Sequence, residues 1–530
     1  MRASHEPRQT QERILCRLLK ENSGCRYGEQ WRFDSIDSVK TYQELVPIVT
    51  YDELEPWIER IKQGERGVLT AEPVLMMEKT GGSAAPAKYI PYTATLRREF
   101  QTAVSTWLYD LYSHRPRMLS GGAYWSISPT VGEPETTAGG LPVGFGDDVE
   151  YFGRMAQWVL GQLLVVPHGV SRIPDIETNR YVTLRFLLAH PQLRFVSVWN
   201  PSFLTLLFKS LAQFTPQLLQ DIRTGRLTPP RTLPAELETS LLSHLRPDAR
   251  RADQLAELQK RHGSLRSEDI WPDLRLISCW TSAAAGHFLP ELQALFPQSE
   301  VQGKGLLATE GVVTIPLTGH PGAAVALNSH FYEFIDIEAP AVRPRLVDEL
   351  EPDHTYAVLI STGGGLYRYA LQDGVRVMGM VNGTPLLEFI GKTAQVVDLC
   401  GEKLSEARVG IILEQALAHF PGHDRFAMLA PEWADPPFYT VFVAASAWNE
   451  AELQRFVTAV EDELMQGHHY AYCRQLGQLG RLQGINITGG VAAALLTHGA
   501  GRGQRLGDIK HTYLQRECGW TERLKSMVVT

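Results

Sequence analysis

The sequence predicts an α/β protein with a large N-terminal domain of mixed sheets and a smaller α+β C-terminal domain. A chain of 530 residues is too long for one ordinary hydrophobic core, so more than one domain is expected. From about Val74 onward, short apolar runs alternate with longer amphipathic stretches, a pattern typical of α/β chains. A connector containing Gly and Lys at 391–405 precedes a further strand and helix. We therefore expect an N-terminal domain over 1–395 and a C-terminal domain over 396–530.

The individual elements follow in chain order. The first 60 residues are expected to be helical, punctuated by Pro47 and Pro56. Apolar runs of strand length occur at 193–199, 274–280, 356–362 and 439–445. Helical periodicity covers 203–219, and 224–263 is expected to cross the surface as helices and loops. Near the end, Asn449 is placed to cap a helix whose first turn carries Glu450 and Glu452.

Composition and charge argue against several classes of protein. The net charge of -8 and the pI near 6.1 give no support to nucleic-acid binding, which depends on a basic surface. No run of about 18 apolar residues is present to span a membrane, and residues 1–10 lack the apolar stretch of a secretory signal. The six cysteines are scattered, with no CxxC pair, so neither a disulfide framework nor a zinc site is indicated. We expect a soluble cytoplasmic protein, and a monomer is compatible with the sequence.

The stretch 76–93 combines residue types that bind phosphate. An apolar start leads into Thr80, Gly82 and Ser83, and then into Lys88. Small residues let backbone N–H groups approach phosphate oxygens, hydroxyls add donors, and the lysine adds positive charge. The alternative is a turn of small residues that ends with a surface lysine. Taken alone, this stretch does not decide between the two.

Two later stretches add acidic residues suited to a nucleotide site. Thr309 and Glu310 follow a buried run and offer a hydroxyl to phosphate and a carboxylate to Mg2+, which prefers oxygen ligands. Three glycines at 363–365 end an apolar run and permit close approach to a ligand, and Asp373 can accept hydrogen bonds from ribose hydroxyls. The alternatives are a solvated glutamate in a loop and an ordinary hairpin.

Taken in order, these stretches resemble the adenylate-forming superfamily, and more closely its Gretchen Hagen branch, the auxin-responsive acyl-acid amido synthetases. The similarity covers nearly the whole chain and includes 25–27, 42–52, 61–65, 88–93 and 220–225. The most specific stretch is Gly365-Leu366-Tyr367-Arg368-Tyr369 followed by Asp373. Bacterial-type variants are the nearer match, so a plant hormone substrate does not follow from the resemblance.

The resemblance implies a fold and a reaction. The fold is a multi-layer N-terminal adenylation domain that binds ATP and the acyl acid, with a small mobile C-terminal domain. The reaction is an ATP-dependent, AMP-forming ligation that uses Mg2+. A carboxylic acid is converted to its acyl-adenylate, and an amine, commonly that of an amino acid, then displaces AMP. Both substrates are small molecules, and no covalent intermediate with the enzyme is needed.

Site roles carried over from this resemblance fall into three groups. The nucleotide-binding residues would be Thr80, Gly82, Ser83, Lys88, Thr281, Ser282, Thr309, Tyr367 and Asp373. The catalytic residues would be Glu310, which would also hold Mg2+, Lys403 in the hinge-like motif 402–406, and Lys510 in a late motif. The acyl pocket would include Trp125, Trp199, Ser202 and Phe203, although core packing explains Trp199 and Phe203 equally well.

Departures from the family pattern keep other functions open. Gly81, Ala84 and Ala85 stand where the phosphate loop usually has hydroxyls and a later Gly, and the late motif has Asp508 and Thr512 in place of its usual residues. These changes raise the chance of slow or lost adenylation. One alternative is a ligase that forms a thioester through the same adenylate, and another is a non-catalytic nucleotide- or acyl-binding protein of the same fold.

Overall fold

The computed structural model describes residues 2–79, 88–126, 135–144, 163–340, 342–393, 396–397, 399–400, 402, 404–423, 426–475, 478–487 and 512–525. Within them the chain forms several sheets, parallel and antiparallel, with helices packed around them, which confirms the predicted α/β class. In this part of the chain, no helix combines the length and the apolar character needed to cross a membrane. All six cysteines are free thiols.

Helices occupy most of the first 60 residues, as predicted, and recur between the strands. Their bounds are Arg2–His5, Pro7–Asn22, Arg26–Gln30, Val39–Leu45, Tyr51–Lys62, Ala94–His114, Ile176–Ala189, Pro201–Lys209, Leu211–Thr224, Ala235–Ser243, Ala249–His262, Ser267–Ile270, Leu289–Leu295, Glu406–His419, Glu450–Leu464, His468–Gln475 and Trp520–Arg523.

Two of the expectations about helix boundaries are wrong, and one is confirmed. Pro56 lies inside the helix Tyr51–Lys62, where a capping box of Thr50 and Glu53 fixes the first turn. The single helix expected at 203–219 is divided at Ser210, whose hydroxyl donates to Leu206 O at 2.9 Å. As predicted, Asn449 caps the helix Glu450–Leu464, and its side chain accepts from the Glu452 amide.

The strands include all four of the apolar runs identified in the sequence. In chain order they are β1 (Met76–Lys79), β2 (Tyr89–Tyr92), β3 (Gly122–Trp125), β4 (Glu135–Thr136), β5 (Pro142–Val143), β6 (Leu193–Ser197), β7 (Leu276–Cys279), β8 (Glu300–Gly303), β9 (Leu307–Ala308), β10 (Gly311–Val312), β11 (Thr314–Pro316), β12 (Ala323–Val325), β13 (Phe331–Asp336), β14 (Thr355–Ser361), β15 (Tyr369–Val381), β16 (Thr384–Lys392), β17 (Val396–Val397), β18 (Leu404–Ser405), β19 (Phe426–Glu432), β20 (Phe438–Ala444) and β21 (Gln483–Asn486).

Two sheets dominate the N-terminal part. One is entirely parallel, with strand order β3-β6-β7-β8. The helices between residues 176 and 295 alternate with its strands along the chain. The other is antiparallel, with order β11-β12-β16-β15-β14-β13, and its buried face shares an apolar core with the N-terminal helices. Smaller sheets have the orders β2-β1-β5-β4 and β10-β9.

The C-terminal part is built on a third sheet. Its strand order is β19-β20-β21, and the helices Glu406–His419 and Glu450–Leu464 share a separate apolar core with it. The helix Glu406–His419 also reaches the end of β16, since a Cβ built on Gly391 would lie 3.5 Å from the backbone of Ala407. The α+β character of this region is as predicted, and the boundary near residue 395 remains a prediction.

Candidate active site

The carboxyl ends of the parallel strands gather predicted site residues at one edge of the sheet. Trp125 ends β3, Trp199 follows β6, Thr281 and Ser282 follow β7, and Lys304 follows β8. Since the four strands run the same way, these positions share the edge at which open α/β sheets bind ligands. Their side chains are half-buried, except that of Lys304, which is buried. The edge therefore combines two tryptophan rings with two hydroxyl side chains and a buried lysine.

Lys304 lies among tryptophan rings at this edge. Its Nζ donates to Ser197 Oγ at 2.6 Å. The same nitrogen lies 5.1 Å from the ring centroid of Trp199, 5.2 Å from that of Trp125 and 5.7 Å from that of Trp107. Sequence reasoning gave this residue no role. The available signal was a lysine between two glycines, directly before the apolar pair Leu306-Leu307.

The two other residues predicted for the acyl pocket have local structural roles. The Ser202 hydroxyl donates to Asn200 Oδ1 at 2.8 Å, and the same oxygen accepts from the Ser202 amide at 2.9 Å. This pattern caps the helix Pro201–Lys209. Phe203 packs against the apolar core around the parallel sheet. Ser202 and Phe203 thus have local structural contacts, and their roles in an acyl pocket stay predictions.

Asp373 and Lys392 form an ion pair across two neighbouring strands. They are register partners in β15 and β16, and Lys392 Nζ lies 2.6 Å from Asp373 Oδ1. Lys392 Nζ also donates to Leu371 O at 3.2 Å. Burial lowers the pKa of Lys392, but the nearby carboxylates of Asp373, Glu310 and Glu406 outweigh burial and raise it overall. The sequence prediction named Asp373 and missed Lys392, because only the strand register brings the two together.

Thr309 and Glu310 form the turn between β9 and β10. Tyr92 Oη donates to Thr309 O at 2.8 Å, and Val312 N donates to His330 Nε2 at 3.2 Å, so the turn is held from both sides. Burial raises the pKa of Tyr369, and the negative charge of Glu310 raises it further. Glu310 also acts on Lys392, as noted above. The negative charge of Glu310 therefore acts on the same lysine that forms the ion pair with Asp373.

The glycine-rich turn after β14 is held by hydrogen bonds to a buried glutamate. Gly363 N donates to Glu99 Oε2 at 2.9 Å, and the same oxygen lies 2.9 Å from His330 Nδ1. Because His330 Nε2 accepts from Val312 N, its Nδ1 carries the proton and donates to Glu99. Glu99 and His330 are both buried. This pair joins the glycine-rich turn to the strand that follows Glu310.

The glycines and Tyr367 of this turn make packing contacts inside the fold. Added Cβ atoms at Gly363 and Gly364 would meet Thr95 Cγ2 at 2.3 Å and Leu96 Cδ2 at 2.8 Å, so these glycines make room for the helix Ala94–His114. The Tyr367 side chain is fully buried, its hydroxyl donates to Leu69 O at 3.1 Å, and its ring stacks on another tyrosine. Its polar group is used inside the core, and its predicted contact with the nucleotide stays a prediction.

The remaining predicted residues divide between the described part of the chain and the rest. Lys88 is half-buried at the start of β2, with its Nζ 5.4 Å from the ring centroid of Tyr51. Thr80, Gly82, Ser83, Lys403 and Lys510 lie outside the described residues, so their roles stay predictions.

The carboxylates on either side of position 403 are fixed by hydrogen bonds. Glu402 accepts from Leu399 N at 2.7 Å, from Cys400 N at 2.9 Å and from the Tyr439 hydroxyl. Burial raises the pKa of Glu402, but these donors outweigh it and lower the pKa below its ordinary value. Glu406 accepts from Tyr513 N at 3.2 Å. Both ends of the hinge-like motif are thus anchored to the C-terminal part.

Comparison with known proteins connects this geometry to one family. Residues 1–301 match the model of the GH3 family N-terminal domain, and residues 323–392 match that of the GH3 family central domain. A jasmonoyl–L-amino acid synthetase of Nicotiana attenuata, JAR6, is 24% identical over 94% of this chain and 90% of that protein. A probable indole-3-acetic acid-amido synthetase of Oryza sativa subsp. japonica, GH3.12, is 23% identical over 96% of this chain and 91% of that protein.

Solved structures show the same fold. The AtGH3.15 acyl acid amido synthetase in complex with 2,4-DB superposes with a TM-score of 0.84 at 20% identity, covering 99% of this chain and 95% of that one. A second structure of the GH3.15 acyl acid amido synthetase gives a TM-score of 0.79 at 19% identity, covering 99% of this chain and 94% of that one.

Proposed function

Because this chain belongs to the GH3 family, we propose that it is an AMP-forming acyl-acid amido synthetase. It activates a carboxylic acid with ATP and transfers the acyl group to an amine, for which an amino acid is the expected donor. A cytoplasmic location, where ATP and free amino acids are available, is part of this proposal. So is the division into an adenylation domain over 1–395 and a C-terminal domain over 396–530.

One observation carries the nucleotide part of the proposal, namely the ion pair of Asp373 with Lys392, a lysine whose pKa the negative charge of Glu310 also raises. Asp373 is held in place by Lys392 and can accept hydrogen bonds from ribose hydroxyls. Glu310 sits in a turn fixed by Tyr92 and His330, and its carboxylate is the hard oxygen ligand that Mg2+ prefers. Bound there, Mg2+ would supply positive charge against the phosphate oxygens. These residues thus bind the two ends of one nucleotide.

The reaction requires this arrangement because both reactants are anions. The acid's carboxylate oxygen attacks the α-phosphorus of ATP, the bond to the β-phosphate oxygen breaks, and pyrophosphate leaves. In the second half-reaction the amine attacks the acyl carbon, the bond to AMP breaks, and the amine loses a proton. The protein orients the attack and offsets the charge that gathers on phosphate oxygens. Lys88, Lys403, Lys510 and the phosphate loop at Thr80, Gly82 and Ser83 are proposed contributors to that charge balance.

ATP–pyrophosphate exchange tests the first half-reaction. Purified protein with Mg2+ and a panel of aromatic, aliphatic and amino-acid carboxylates is expected to exchange labelled pyrophosphate into ATP only when a suitable acid is present. Chelating the Mg2+ is expected to stop the exchange, because the phosphate charge is then no longer offset. Measurable ATP binding without exchange for any acid on the panel would count against adenylation and favour a non-catalytic binding protein.

A further inference from the structure

Two cysteines that are far apart in the sequence meet in the C-terminal part. Cys400 lies between β17 and β18, and Cys473 lies 73 residues later in the helix His468–Gln475. The Cys473 thiol donates to the Cys400 carbonyl at 3.4 Å, and the Cys400 thiol donates to Glu402 Oε2 at 3.4 Å. One sulfur from each cysteine and one carboxylate oxygen of Glu402 all lie within 4.8 Å of one another. No zinc-site spacing marks these residues in the sequence, because only the fold brings them together.

The spacing of these three ligand atoms suits a divalent cation that binds sulfur. Zinc binds cysteine sulfur at about 2.3 Å and carboxylate oxygen at about 2.0–2.2 Å, so neighbouring ligand atoms of a tetrahedral site are about 3.5–3.8 Å apart. The 3.4 Å between Cys400 Sγ and Glu402 Oε2 is close to this spacing. The other pairs, at 4.8 Å or less, need to approach by no more than about 1 Å. Thiolate ligands also favour zinc over Mg2+, which prefers oxygen.

Glu402 is held in the way that metal-binding carboxylates are commonly held. Its Oε1 accepts from Leu399 N at 2.7 Å and from the Tyr439 hydroxyl, and its Oε2 accepts from Cys400 N at 2.9 Å. Hydrogen bonds of this kind orient a ligand before the metal arrives. Because Oε2 also accepts from the Cys400 thiol, loss of that thiol proton frees one lone pair of this oxygen. A cation would therefore take the place of the proton between Cys400 and Glu402.

A disulfide is the alternative use of two neighbouring thiols. Its formation begins with a thiolate. Burial and the carboxylate of Glu402 raise the pKa of the Cys400 thiol, which disfavours that thiolate as long as no cation is present. A divalent cation is instead attracted by the same carboxylate, and a thiol that binds such a cation is deprotonated outright. The surroundings of Cys400 therefore favour a metal ion over a disulfide.

We propose that Cys400, Cys473 and Glu402 bind one sulfur-binding divalent cation such as Zn2+, with water at the fourth position. Each thiol loses its proton to the solvent and its sulfur bonds to the cation, so the step needs no oxidant. Cys400 is half-buried and the other two are buried, so the ion would enter past Cys400. The bound ion would tie residues 399–402, next to the predicted catalytic Lys403, to the helix His468–Gln475. This inference does not depend on the proposed function.

Titration of the full chain with Cd2+ tests the site. Bonds between cadmium and thiolate sulfur absorb in the ultraviolet, whereas cadmium at an oxygen site such as the one proposed for Mg2+ does not produce this absorbance. The protein is kept reduced with a phosphine, and excess Mg2+ is present to occupy oxygen sites. Wild-type protein is expected to gain the absorbance up to one ion per chain, and excess Zn2+ is expected to remove it by displacing the cadmium.

Variants assign the absorbance to these residues. Cys400→Ser and Cys473→Ser are each expected to weaken Cd2+ binding by at least about 10- to 100-fold, the loss that removal of even a hydrogen bond to a metal ligand produces. Glu402→Gln is expected to weaken binding but to keep the absorbance at saturation, because both sulfurs remain. Cys16→Ser is the matched control, since Cys16 is an exposed thiol on the helix Pro7–Asn22. Near-UV circular dichroism checks that each variant keeps its packing.

Two outcomes overturn the proposal. One is a reduced wild-type protein that gains no cadmium–sulfur absorbance, which needs no variant to fold. Mass spectrometry of protein purified without reductant would then show whether the two thiols form a disulfide or remain simple buried thiols. The other is absorbance and affinity that are unchanged in Cys400→Ser or in Cys473→Ser. Failure of the proposed function is distinguishable, because the titration uses neither ATP nor an acid and would give the same result in a protein without pyrophosphate exchange.

Discussion

Replacing Glu310 with glutamine is expected to slow acid-dependent ATP–pyrophosphate exchange by about 100- to 1000-fold, the loss typical when one preorganised charge-stabilising group is removed. Glutamine keeps the size and the turn but cannot offer a negative oxygen to Mg2+. The nearby Lys392 would also lose one of the carboxylates that raise its pKa. The measurement is the exchange rate at saturating ATP and acid over a range of Mg2+ concentrations.

The matched control for this variant is Glu21→Gln, at an exposed position near the end of the helix Pro7–Asn22. It changes the net charge by the same amount and leaves the site untouched, so its exchange rate is expected to equal that of the wild type. A Glu310→Gln protein that folds normally and exchanges at the wild-type rate would remove Glu310 from the catalytic role assigned to it.

Replacing Arg368 with methionine is expected to lower the free energy of unfolding by about 3–5 kcal/mol, as when one partner of a buried ion pair is removed. Arg368 Nε and Nη2 each donate to the Glu333 carboxylate at 3.0 Å. Its Nη1 donates to Gln43 O at 2.8 Å and to Val46 O at 2.7 Å. Both charged side chains are buried, so the variant leaves Glu333 without its guanidinium partner.

Chemical denaturation followed by circular dichroism measures this loss, provided that unfolding is cooperative. The double variant Arg368→Met with Glu333→Met removes both charges and is expected to recover part of the stability, because no unpaired buried charge remains. Unfolding midpoints for Arg368→Met that match the wild type would contradict the structural role of this pair.

The stretch from Gly365 to Tyr369, the most specific part of the resemblance, thus maintains the fold more than it contacts substrate. Tyr367 packs in the core, and Arg368 ties the N-terminal helices to the antiparallel sheet. Asp373, a few residues later, is the residue proposed to bind the ribose of the nucleotide. A motif recognised as a unit in sequence therefore contains residues with different physical tasks.

The sequence predicted what depends on local pattern. Apolar runs marked β6, β7, β14 and β20, and capping chemistry marked the helix that follows Asn449. It did not predict what depends on pairing between distant segments. Lys392 gains its role from the register with Asp373, and His330 gains its role by lying between Glu99 and Val312 N.

Lys304 shows the same limit of local sequence patterns at the edge of the parallel sheet. Its surroundings come from the helix Ala94–His114 and from the ends of β3 and β6, so no local pattern reveals that three tryptophans surround it. Ser202 shows the converse case. From the sequence we placed it in a pocket wall, whereas its hydroxyl and its amide both donate to the Asn200 side chain that caps the helix.

The central claim, that the acyl group passes from an adenylate to an amine, is tested most directly by identifying the product. An acid that supports exchange is incubated with ATP, Mg2+ and a mixture of amino acids, with coenzyme A in a parallel reaction, and the products are identified by mass spectrometry. The account predicts an N-acyl amino acid formed with one AMP and one pyrophosphate for each amide bond. A thioester that forms only with coenzyme A, with no amide from any amine, would contradict it.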